Sequence, residues 1–85
     1  MKVAAENRLF WFLKQGAELD LADERHLDLY VKQVLTRGRT ADVRDMLKTV
    51  GLDDFRRSFD RIKAFLPREI RRFWEDGIGD SHRHP

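Results

Sequence analysis

The chain carries three apolar stripes in succession, each at helical spacing and each closed by a residue that helices rarely continue through. Leu27, Tyr30, Val31, Val34 and Leu35 follow the i, i+3, i+4, i+7, i+8 pattern that gathers side chains on one helical face, and Gly38 follows them. Val43, Met46, Leu47 and Val50 share a second face before Gly51; Phe55, Phe59, Ile62 and Leu66 share a third before Pro67. Each stripe must be buried against another, because an amphipathic helix alone leaves its apolar face in water. Short connections of about two to six residues then predict antiparallel helical neighbours around one core.

Local signals agree with this reading. Asp20 or Asp23 can cap the first helix, Thr40 the second and Asp53 the third, each offering an oxygen to unpaired amide groups of the first turn. Pro67 suits an opening turn and predicts a fourth helix, with Ile70, Phe73 and Trp74 inward and Arg68, Arg71, Arg72 and Glu75 outward, ending at Gly77 and Gly79. The unbroken run Leu9-Phe10-Trp11-Phe12-Leu13 points in every direction. A helix over Val3 to Lys14 is expected there, with a short extended segment as the alternative. The expected fold class is therefore all-α: a small bundle of four to five short helices forming a single helical domain over residues 1–79. Residues 80–85, without apolar periodicity, are expected to be a flexible C-terminal tail.

At 85 residues and 41% hydrophobic content the chain can build one core, and a domain this small gains from a partner, so a homo-oligomer is compatible with it. There is no cysteine, which excludes disulfides and thiolate metal sites and fits a reducing compartment. No apolar run approaches the roughly 18 residues of a membrane span, and the first residues lack the apolar centre of a signal peptide. A cytoplasmic protein with no membrane partner is the expectation. The formal charge is +2, from 17 Lys and Arg against 15 Asp and Glu, so the chain is no polycation. Its charges are nonetheless segregated. Five acids lie between Glu18 and Asp28 against Arg25, whereas seven bases lie between Arg56 and Arg72 against Asp60 and Glu69.

Helix, glycine turn and arginine-rich helix over Thr40 to Ile62 invite comparison with a DNA-reading helix-turn-helix. Taking Gly51 as the turn glycine would aim Arg57 and Asp60 at the core, at a cost of several kcal/mol unless paired, while Asp53 and Asp54 would lead the recognition helix toward phosphates. The apolar face Phe55, Phe59, Ile62 implies another rotation. A packed helical hairpin is the better reading. Non-specific binding of nucleic acid remains the alternative, because Arg57, Arg61, Arg68, Arg71 and Arg72 could form one basic surface; the competing reading pairs that surface with the acidic Glu18 to Asp28 segment. Few aromatic residues fall off the core faces, so no stacking platform for bases is expected.

Catalytic chemistry finds little support in the residues. Ser58 and Ser81 lack a nucleophile elbow, and the carboxylate pairs Asp42/Asp45 and Asp53/Asp54 stand at helix starts, where capping explains them. His82 and His84 form an H-x-H without a third ligand, His26 reads as a structural histidine, and no glycine-rich phosphate loop exists. No catalytic, cofactor-binding or metal-binding residues are assigned, and no enzyme is expected.

Several residue groups carry a resemblance: Phe10-Trp11, Val34-Leu35 with Arg37 and Gly38, Asp42-Val43 with Leu47 and Gly51, then Leu66 and Phe73-Trp74. Across about Leu9 to Glu75 the chain resembles an uncharacterised family of short bacterial helical domains often encoded beside nucleotidyltransferases of the abortive-infection toxin type. It differs in carrying Phe12 where an aspartate commonly follows the FW pair. The resemblance implies an antitoxin-like companion that binds and restrains such a toxin; the chain lacks the Gly-Ser and paired-aspartate signature of the transferase itself. The expected function is a non-enzymatic protein-interaction module, with Arg57, Arg61, Arg68, Arg71, Arg72 and Trp11 as its partner-binding residues.

Overall fold

The computed structural model describes residues 2–6, 8–14 and 16–83, with side chains as far as Asp76. Two short strands, β1 (Lys2–Ala4) and β2 (Glu18–Asp20), precede four α-helices: α1 (Glu24–Arg37), α2 (Thr40–Val50), α3 (Leu52–Ile62) and α4 (Arg68–Arg83). The architecture is broadly all-α in a single domain, with four helices and a small hairpin that the apolar periodicity does not announce.

Asp23 caps α1 by accepting the Arg25 amide at 2.9 Å, and Gly38 closes it by donating to the Val34 carbonyl. At α2 the cap position is Arg39, one residue before the Thr40 expected from the sequence. There the Asp42 carboxylate reaches back to accept the Arg39 amide at 2.8 Å, which uses a donor that would otherwise face the helix entry unpaired. Gly51 serves α2 and α3 together, donating to Leu47 and accepting from Phe55. Its φ of 88° and ψ of 155° belong to a region open to glycine and hardly to other residues, so α3 starts at Leu52 without the Asp53 cap. Past a 3-10 turn at Lys63–Phe65, Pro67 accepts the Arg71 amide and opens α4. That helix runs through Gly77 and Gly79, where the sequence predicts its end, to Arg83. His84 and Pro85, the end of the expected tail, lie outside the described residues.

The core sits where α1 lies against α3, with α2 beside both. Phe55, Met46, Val31 and Val34 are at most 1% exposed, and Phe59, Ile62 and Leu66 are buried, so the stripe of α3 turns inward as its spacing requires. Arg57 and Asp60 face solvent. The helix-turn-helix rotation, which needs both in the core, is excluded.

The N-terminal region departs from expectation. The described residues of Val3 to Lys14 form no helix; β1 pairs antiparallel with β2 in the register Lys2↔Asp20, Val3↔Leu19, Ala4↔Glu18, and the Ala5 amide extends the ladder to the Ala17 carbonyl. The reason lies in the apolar run itself. A helix would spread five consecutive large side chains around its circumference, whereas consecutive turns let Leu9 and Phe10 enter the core and release Trp11 and Phe12 to the surface. The Leu9 carbonyl, without a helical partner, accepts the buried Gln33 side-chain amide at 2.6 Å.

Candidate interaction surface

Trp11 and Phe12 sit on the turn that the buried Phe10 anchors. Phe10 stacks on Tyr30 of α1 at 6.4 Å between ring centroids, which fixes the turn against the helix and leaves the next two rings outside. Trp11 and Phe12 meet edge to face at 5.5 Å and are each more than half exposed. From the last turn of α1 the Arg37 guanidinium lies 4.4 Å over the Trp11 ring. A cation over the π-face is attractive there, and it holds an aromatic that has no core to rest in. Phe65 and Phe73 are exposed as well, which corrects the inward place expected for Phe73.

Three of the five arginines have carboxylate partners. Arg57 pairs with Asp54 one turn earlier. Arg61 holds Asp28 of α1 through Nε at 2.9 Å and Nη2 at 2.9 Å, and Ser58 donates its hydroxyl to the same carboxylate at 2.7 Å. A cleft of about 220 Å³ is lined by Arg57 and Arg61 together with Glu24 and Asp54, so both signs of charge share it. On α4, Arg71 approaches Glu75 at 3.7 Å, while Arg68 and Arg72 are exposed without an ionic partner among the described residues. The pairing of Arg61 with Asp28 realises the alternative weighed for the sequence, in which the basic segment meets the acidic one. Trp11 joins none of these arginines through its ring; among the described residues its ring meets Phe12 and Arg37, the last residue of α1.

A second cleft, of about 190 Å³, opens between the hairpin turn and α1, over Phe10, Tyr30 and Val34, with Glu6, Asp42 and Asp45 at its rim. Arg8 spans part of that rim, donating to Asp42 at 2.8 and 2.9 Å and to Glu6 at 3.2 Å. Burial pushes the Tyr30 hydroxyl upward, as do the surrounding carboxylates, Asp45 first. His26 accepts the Asp20 amide through Nδ1 at 3.0 Å and so joins the strand end to α1, a structural use. Among the described residues no three His, Asp or Glu side chains gather in a way that could hold a metal ion, and no helix is long and apolar enough to cross a membrane. His84 and the side chain of His82 lie outside the described set. No family model, curated protein or solved structure matches the chain.

Proposed function

We propose that the protein is a non-enzymatic interaction module that docks a partner protein on the Trp11-Phe12-Arg37 surface, as an antitoxin-like companion restraining a nucleotidyltransferase-type toxin. The exposed edge-to-face pair of Trp11 and Phe12 under Arg37 carries the reading. Tryptophan and arginine dominate binding hot spots, and side by side on a rigid turn they lose little freedom on being covered. The partner's identity rests on the resemblance of the FW, Val34-Leu35-Arg37-Gly38 and Asp42-Val43 groups. Binding of nucleic acid is the weaker alternative, because Arg57 and Arg61 already hold carboxylates and a phosphate backbone would have to displace them.

The test is titration calorimetry against a minimal nucleotidyltransferase of the abortive-infection type from the same genome, with its transfer activity followed in parallel. Saturable binding with loss of transfer is expected, and Trp11→Ala should weaken it by about thirtyfold, the loss of a hot-spot side chain worth about 2 kcal/mol. Absence of binding, or a Trp11→Ala variant that binds and inhibits unchanged, overturns the proposal. Binding to mixed RNA or DNA that falls steeply with salt would favour the nucleic-acid reading instead.

A further inference from the structure

We infer that α4 is a self-association surface, on which a second copy of this chain packs antiparallel with Phe73 beside the two-fold axis. Over its described residues α4 is the helix that packs least on the others. Ile70 and Trp74 turn toward the core, Trp74 meeting Phe55 edge-on at 5.1 Å, but Phe73 stays 68% exposed with its ring against Trp74 at 5.3 Å. The spacing predicts Phe73 inward; the helix is rotated so that this ring, large and apolar, faces water. Such a ring on the least packed helix of a small domain is a contact without its other half.

Charge order selects the occupant. Arg68, Arg71 and Arg72, with Glu69 among them, occupy the first turns of α4, and Glu75 and Asp76 follow Phe73. A two-fold axis level with Trp74, one residue beyond Phe73, sets Arg72 of each copy level with Asp76 of the other. Arg72 and Asp76, one turn apart on the exposed side of the helix, have no ionic partner among the described residues, so each is available to its counterpart. Antiparallel packing brings opposite charges together twice by symmetry, whereas parallel packing would set arginine against arginine. This surface is separate from Trp11 and Phe12, and it stands or falls independently of the proposed partner.

Sedimentation equilibrium of the full chain over a concentration series tests the inference, with circular dichroism confirming that each variant is folded. The wild type should be dimeric with a dissociation constant in about the micromolar range. Phe73→Asp should be monomeric. Arg72→Asp should weaken the dimer about tenfold, because two-fold symmetry removes two exposed pairs, and adding Asp76→Arg should restore it. A wild type that stays monomeric up to about 1 mM overturns the inference. So does a dimer indifferent to Phe73→Asp, or one that the charge swap fails to restore.

Discussion

Arg8 and Asp42, 34 residues apart, meet as a fork on a carboxylate: Nη1 lies 2.9 Å from Oδ2 and Nη2 lies 2.8 Å from Oδ1. The same carboxylate accepts the Arg39 amide and so caps α2. One acidic side chain thereby ties the N-terminal turn, which presents Trp11, to the junction of α1 and α2. Hydrogen bonds from Arg8, then from the Arg39 amide, hold Asp42 down at about 2.

The sign of the resulting pH dependence follows from that depression. A carboxyl whose folded value lies below its unfolded value of about 4 stabilises the fold above that value and loses the contribution as pH falls toward about 2. Urea midpoints should therefore drop between about pH 4 and pH 2, and Asp42→Asn should show a shallower drop from a lower start. Asp28 is also lowered: burial pushes it up, and the hydrogen bonds from Arg61 and Ser58 with the Arg61 charge outweigh that. The slope in Asp42→Asn should thus be reduced and not abolished; an unchanged slope would remove Asp42 from the account.

Ser58, fully buried on α3, has its hydroxyl satisfied by Asp28, which Arg61 covers from outside. Asp28→Ala leaves the hydroxyl without that acceptor and frees the guanidinium, so it should cost about 1–3 kcal/mol in urea unfolding. Ser58→Ala removes the buried polar group together with its bond and should cost less. The reverse order of the two variants would show that the α1–α3 contact rests on packing alone.

Gly51 holds a backbone conformation that Cβ-bearing residues rarely adopt, although open space surrounds the position where a Cβ would stand. Gly51→Ala should accordingly lose about 1–3 kcal/mol through strain and not through collision. Thermal unfolding of this variant checks it. A neutral result would mean that the α2–α3 turn relaxes into another geometry.

The central helices are legible in the sequence because their ends and faces are set locally. Asp23 and Gly38 bound α1 through capping, and Phe55, Phe59, Ile62 and Leu66 lie inward as their spacing states. Periodicity has no purchase on Leu9 to Leu13, where every position is apolar and the division into buried Phe10 and exposed Trp11 is decided by Tyr30 and Gln33, residues far along the chain. Phe73 shows the other limit. Spacing identifies a stripe, but the rotation of α4 against Phe55 decides how much of that stripe is covered. The arginines are visible as a cluster and Asp54 stands one turn before Arg57 on the same helix, yet the pairing of Arg61 with Asp28 depends on α1 and α3 lying side by side, which no local pattern records.

Adjacent aromatics with opposite environments give the sharpest test of the N-terminal turn. Phe10 is 1% exposed and stacked on Tyr30, so Phe10→Ala opens a cavity and should cost about 3–5 kcal/mol, a large share of what an 85-residue domain possesses. Trp11 is 56% exposed and loses chiefly its contact with Arg37, so Trp11→Ala should cost at most about 1 kcal/mol. Urea unfolding of the two variants, measured side by side, decides between them. Equal costs would make Trp11 a packing residue like its neighbour, and a docking surface built on it could not be separated from the stability of the fold.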